Sequence, residues 1–172
     1  MRGVTLYVGT TGTGKTHAAL ADLRAQPLPR VFLDLGCSKL LESVPQAAPA
    51  SRKALPAESR WVPETVEELE AVLENLYKRG NVAILIDDCA ALRSPRMLAK
   101  ACRLWRPRNL RIALTTQHIS GDIDQAVMAC DPLIFAYRCT SPTSIDWLWD
   151  RFRITPEENA ALPLGESFEL SF

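Results

Sequence analysis

Five short apolar runs rich in β-branched and aromatic residues, Val4–Val8, Val31–Leu35, Val82–Ile86, Ile112–Thr116 and Leu133–Tyr137, are spaced along the chain. Runs that stay apolar throughout, instead of alternating with polar positions, predict strands buried on both faces. Stretches with helical spacing lie between them. That alternation predicts an α/β fold in which a mainly parallel central sheet carries helices on both faces, as a single domain over residues 1–172. Thr65 with Glu68 and Thr155 with Glu158 read as capping boxes. Ser94-Pro95, Ser141-Pro142 and Thr155-Pro156 put proline in the first turn of a helix. Ile145, Leu148, Trp149 and Phe152 share one helical stripe and are expected in the core, with Trp147 on the other side and partly exposed.

Residues 45–63 break the pattern. Their Ala, Pro and Ser content lacks clear periodicity and reads as a surface excursion between the second strand and a helix over Val66–Tyr77. No internal repeat is evident.

Composition narrows the class without choosing a partner. The 172 residues are 47% apolar, enough for one well-cored domain. Lys plus Arg and Asp plus Glu each total 20, which excludes coating of nucleic acid by bulk charge and leaves room for a local basic face. Cys37, Cys89, Cys102, Cys130 and Cys139 form no CxxC pair and lie mostly in apolar segments. They are expected as buried thiols in a reducing compartment. No signal-peptide core and no apolar run of membrane-spanning length is present, so a cytoplasmic protein without a span of its own is expected.

The chemistry starts directly after the first strand. Gly9-Thr10-Thr11-Gly12-Thr13-Gly14-Lys15-Thr16 is a complete GxxxxGK[ST] P-loop in its strand-to-helix setting. Glycines let backbone N–H groups turn toward phosphates, and the helix from Thr16 to Leu23 presents its positive end. ATP is the expected ligand, bound by residues 9–16 with His17 beside them. Lys15 would reach the β and γ phosphates, and Thr16 would ligate Mg²⁺. The apolar strand over residues 82–86 ends in Asp87-Asp88, as a Walker B strand does. Asp87 would hold Mg²⁺ through water, and Asp88 would orient or deprotonate the water that attacks the γ phosphate. The plainer alternative for Asp88 is a cap on the next turn.

A further strand, Leu110–Thr116, follows and ends in Thr115-Thr116-Gln117-His118. In its P-loop, its Asp87-Asp88 pair and this Thr-Gln strand end, the chain resembles the FtsK/HerA superfamily within the additional-strand, RecA-like branch of P-loop ATPases. The resemblance covers roughly residues 4–165. It implies that this strand lies between the Walker A and Walker B strands, with Gln117 sensing the γ phosphate. Arg106-Pro107-Arg108-Asn109 looks like the family's basic segment, and Ile134–Arg138 followed by Ser141-Pro142 looks like its last core strand with a trailing arginine. Leu164-Gly165-Glu166 is similar to the family's turn into a final strand, here Ser167–Leu170. One departure stands out: the family usually has Asp-Glu where this chain has Asp87-Asp88.

Arg93, Arg96, Lys100, Arg103, Arg106, Arg108 and Arg111 form a basic stretch. On a helix over Pro95–Leu104, Arg96, Lys100 and Arg103 share one face, with Leu98, Ala101, Cys102 and Trp105 opposite. This is a solvated helix face, a phosphate-contacting surface, or a source of arginine fingers for a neighbouring subunit. Arg106 or Arg108 is the expected finger, and Arg138 competes.

The resemblance implies a homo-oligomeric ring, a hexamer, that hydrolyses ATP and translocates double-stranded DNA. Packaging a viral genome into a capsid is the expected setting. The partner would be a capsid or membrane-vertex protein and the location host cytoplasm or virion vertex. The alternative is a non-motor assembly or switch ATPase, Zot-like, acting on a protein. A small-molecule kinase shares the P-loop, but Asp88 and Gln117 suit water better than a substrate hydroxyl.

Overall fold

The computed structural model describes residues 3–46, 55–89, 96–119, 125 and 127–171, and seven strands and six helices are bounded within them. In chain order they are β1 (Val4–Val8), α1 (Lys15–Arg24), β2 (Arg30–Asp34), β3 (Glu58–Trp61), α2 (Val66–Arg79) and β4 (Val82–Asp87). Then follow α3 (Arg96–Arg103), α4 (Trp105–Arg108), β5 (Leu110–Thr116), β6 (Leu133–Ala136), α5 (Pro142–Phe152), α6 (Pro156–Ala161) and β7 (Phe168–Leu170). A short 3-10 turn, Lys39–Leu41, follows β2. Among the described residues no helix is long and apolar enough to cross a membrane.

The sheet runs β3-β2-β4-β5-β1-β6-β7. All pairings are parallel except β6 with β7. β5 therefore sits between β1 and β4, as the resemblance implies. The register aligns the carboxyl ends: Val8 lies opposite Thr116 and Ala136, and Asp34 opposite Asp87. In a parallel sheet this edge collects the loops that bind ligands.

Each face has its own core. Val4, Leu6, Ile84, Ile86, Ile112 and Leu114 pack beneath α2, α3 and Leu148 of α5. The other face is thinner: Ala83 and Ala113 meet Ala19, Leu20 and Leu23 of α1. These small residues let α1 lie close to the strands, and burying Leu20 and Leu23 contributes about 1.5–3 kcal/mol each. The caps follow the sequence signals with one shift. Thr155 and Glu158 form a reciprocal capping box. Thr65 accepts from Glu68 N (3.1 Å), but the Glu68 carboxylate reaches Glu64 N instead (2.9 Å). The Ser94-Pro95 helix start lies outside the described residues.

Three expectations are corrected. Within the stretch read as a surface excursion, Glu58–Trp61 forms the edge strand β3, paired in parallel with β2. Trp149, expected in the core, is exposed, whereas Trp147 is partly exposed as expected and packs its buried side against the core and edge-on to Phe152. The two tryptophans flank Leu148 at about 100° on either side, so the stripe alone did not decide between them. The cysteines are free thiols as expected, but Cys37 is exposed in the turn after β2.

Candidate functional site

The turn from β1 into α1 is shaped by two glycines. Gly9 has φ 153°, and a Cβ there would lie 2.7 Å from the Cβ of Tyr137, so both conformation and space require glycine. Gly14, with φ 94°, is the left-handed residue that opens α1. Between them the loop ties itself to the strands on either side. Gly9 N–H donates to Thr116 O (3.2 Å) and Thr10 N–H to Arg138 O (3.0 Å). The Thr10 hydroxyl pairs with that of Thr140 (2.9 Å), and the Thr10 carbonyl accepts from the Thr13 hydroxyl and Lys15 Nζ, both at 2.8 Å.

The carboxyl ends of β4 and β5 face this loop. Asp87 Oδ1 accepts from Thr16 Oγ1 (2.8 Å) and Thr115 Oγ1 (2.7 Å), while Asp88 N–H donates to Thr115 Oγ1 (2.9 Å). Thr115 thus fixes both aspartates, a role not read from the sequence, although a threonine ending the strand beside Walker B was its visible trace. Asp88 has φ 57°. Aspartate tolerates that left-handed backbone better than glutamate does, because its short side chain bonds locally. The departure from Asp-Glu therefore has a conformational counterpart. Gln117 Oε1 accepts from Thr11 Oγ1 (2.9 Å), linking the end of β5 to the P-loop.

A second residue missed in the sequence is Asp34. Its buried carboxylate accepts from Arg60 (2.6 and 2.8 Å) on β3 and from Ser38 N–H (2.9 Å). This holds the turn carrying Gly36, Ser38 and Leu40, which forms one wall of the cleft. The cleft itself encloses about 400 Å³ and also takes in Gly12, Lys15, His17, Asp88 and Gln117. That size suits a small ligand.

Burial and neighbouring charges set the electrostatics of the cleft. Burial lowers the Lys15 ammonium below its ordinary value, with Asp87 and Asp88 opposing the shift. Burial raises the Asp88 carboxyl, and the Asp87 charge raises it further, against Lys15 and His118. Burial also pushes the Cys89 thiol up to about 12, so this neighbour stays neutral. Thr16 and Asp87 offer two hard oxygen donors 2.8 Å apart, which fits Mg²⁺ holding its remaining positions with water and phosphate. Backbone N–H groups at the start of α1 fit phosphate oxygens.

The P-loop, Asp87, Asp88 and Gln117 are thus brought together, and His17 lies exposed at the cleft. Arg138 also sits at this edge, its carbonyl bonded to the P-loop. Arg106 and Arg108 do not: they belong to α4, which precedes β5, at the opposite edge of the sheet. There Lys100 and Arg108 lie over the Tyr77 ring (4.9 and 5.1 Å to its centroid). Arg106 and Arg111 lie over Trp105 (5.2 and 5.3 Å).

Fold and site together define a P-loop NTPase of the additional-strand type. No protein-family model matches the sequence, and no curated protein matches it. Among solved structures the chain is similar to the genome packaging NTPase B204 of Sulfolobus turreted icosahedral virus 2. In complex with AMP, that structure has a TM-score of 0.73 at 17% identity, over 98% of this chain and 91% of B204. Its complex with ATP-gammaS has a TM-score of 0.73 at 16% identity, over 99% and 94%. The cytoplasmic domain of the type VII secretion ATPase EccC of Thermomonospora curvata has a TM-score of 0.66 at 15% identity; the match covers 99% of this chain but 24% of EccC. At 15–17% identity these likenesses are likenesses of fold, and the fold they share with this chain is that of a P-loop NTPase.

Proposed function

We propose that this chain hydrolyses ATP with Mg²⁺ and, as a hexameric ring of identical subunits, moves double-stranded DNA during packaging of a viral genome. The observation that carries the hydrolase reading is the placement of Asp88: half-buried, raised in pKa, and bonded through its N–H to the threonine that orients Asp87. Lys15 and the N–H groups of residues 9–16 stabilise the charge spread over the transferred phosphoryl group, and Thr16 and Asp87 hold the metal. Mg²⁺ when bound neutralises the phosphate oxygens. Asp88 orients and deprotonates the attacking water. Gln117, already bonded to Thr11, senses the γ phosphate.

Arg106 and Arg108 cannot reach their own subunit's P-loop from the far edge of the sheet. In a head-to-tail ring they would serve as fingers in a neighbour's site, where a guanidinium fork engages phosphate oxygens. Arg138, at the P-loop edge, is the candidate for action within the subunit. The DNA role rests on the likeness to B204, a genome packaging NTPase. A capsid or membrane-vertex protein would anchor the ring, in host cytoplasm or at the virion vertex. The likeness to EccC, a secretion ATPase, supports a second reading in which the substrate is a protein.

Phosphate release from ATP, with and without double-stranded DNA over a salt series, tests the reading against Lys15→Ala and Asp88→Ala. DNA stimulation that fades with salt and disappears in both variants is the expected result. Hydrolysis indifferent to DNA would favour the protein-substrate reading, and dependence on an added phosphate acceptor would favour a kinase.

A further inference from the structure

Leu164 is 66% exposed, the most exposed large apolar side chain among the described residues. One exposed leucine is ordinary on a protein surface. Its position is less so. It sits in the turn Pro163–Glu166, closed by a bond from Glu166 N–H to Pro163 O (3.2 Å). A Cβ on Gly14 would come within 3.8 Å of Gly165 Cα, which places this turn against the P-loop residue just before Lys15. Neither glycine carries a side chain, so the backbone of the turn comes up to the P-loop at Gly165, one residue along the chain from Leu164. The turn is anchored from behind, since β7 pairs with β6 and the Ser167 hydroxyl bonds to Tyr137.

Direction follows from the sheet order. Asp87, Asp88 and Gln117 lie at β4 and β5, on one side of β1, and the 163–166 turn lies on the β6 and β7 side. A nucleoside triphosphate is a linear ligand with its base at the end opposite the γ phosphate. With the γ phosphate facing Asp88 and Gln117, the base leaves the P-loop on the other side. We propose that Leu164 and the Gly165 backbone seat the nucleobase, by apolar contact with its ring face. This assignment rests on the ATP reading above. Leu40, 49% exposed, is the rival apolar surface. It follows β2, beyond β4 from the P-loop, and so lies toward the γ end of the cleft.

The test titrates the full chain with MgATP and with magnesium tripolyphosphate, which has the phosphates and no base. Wild type is compared with Leu164→Asp, Leu164→Met and Leu40→Asp. Leu164→Asp should weaken ATP by about tenfold or more and leave tripolyphosphate unchanged, and Leu164→Met should retain ATP binding. The inference is overturned if Leu164→Asp binds ATP within about twofold of wild type, if both ligands weaken in parallel, or if only Leu40→Asp separates them. Wild type binding neither ligand would instead overturn the nucleotide reading and this inference with it.

Discussion

The two edges of the sheet are built by different means. At the carboxyl edge, the P-loop, Asp87 and Asp88 are held by hydrogen bonds within one chain: Thr10, Thr16 and Thr115 connect β1, β4, β5 and β6 into a closed set. At the amino edge, Lys100, Arg106, Arg108 and Arg111 rest on the faces of Tyr77 and Trp105. Among the described residues, none of these four cations is in an ion pair with a carboxylate. Each ring contact contributes about 0.5–1 kcal/mol, enough to orient a guanidinium without neutralising it. One edge is complete in itself. The other is preorganised positive charge that the subunit's own site cannot use.

The sharpest way to break this comparison is to remove the arginines. Replacing both Arg106 and Arg108 with alanine should lower ATP hydrolysis by about 10³-fold, the lower end of the effect of an arginine finger. Mixing this variant with Lys15→Ala subunits should restore part of the rate, because some mixed interfaces then pair an intact P-loop with intact arginines. Loss without rescue on mixing would place the arginines' role within the subunit. Arg138→Ala, by contrast, should not be rescued, since that residue adjoins its own P-loop.

Asp88→Asn should lower the rate by about 10²-fold or more while ATP still binds, as single-turnover and binding assays would separate. Asp88→Glu is the informative companion. If reach limits the wild type, the longer acid speeds hydrolysis; if the left-handed backbone at φ 57° matters more, it does not, and the melting temperature falls.

The same contrast accounts for what could be read in advance. The P-loop and Asp87 were legible because local spacing dictates them: glycines at fixed positions, then an apolar strand ending in acid. β3 was not legible. Its Glu58 and Arg60 lack the alternation of a strand, and what fixes them is distant: Glu58 pairs with Arg24 and Arg30, and Arg60 with buried Asp34. Breaking the Asp34–Arg60 pair by removing one partner should cost about 3–5 kcal/mol, which no window of neighbouring residues reveals. Arg106 and Arg108 were legible as charge, but their location at the far edge required the sheet order.

A further perturbation acts on the amino edge through packing. A Cβ at Gly3 would lie 2.0–2.2 Å from the indole of Trp105, so Gly3→Ala must displace the ring that carries Arg106 and Arg111. A loss of about 1–3 kcal/mol in urea unfolding is expected. An unchanged midpoint would mean that Trp105 moves freely, and the preorganisation argued for this edge would fail.

The smallest expected effect is a pH dependence confined to the carboxyl edge. Burial, and after it the Asp87 charge, raise the Asp88 carboxyl above its ordinary 3.8. A general base must be unprotonated, so kcat/KM should climb about tenfold per pH unit below the raised pKa and level off above it. Asp88→Asn should lack this limb. The stability of the ligand-free protein should move the opposite way. A carboxyl that holds its proton more tightly when folded contributes stability that is fully present below its unfolded pKa and is lost as pH rises through the folded one. Over that window the wild type should lose stability relative to Asp88→Asn, as melting temperatures of the two compared across pH would reveal. Parallel curves would mean that Asp88 is solvated like any surface carboxylate. Its role as the base would then rest on position alone.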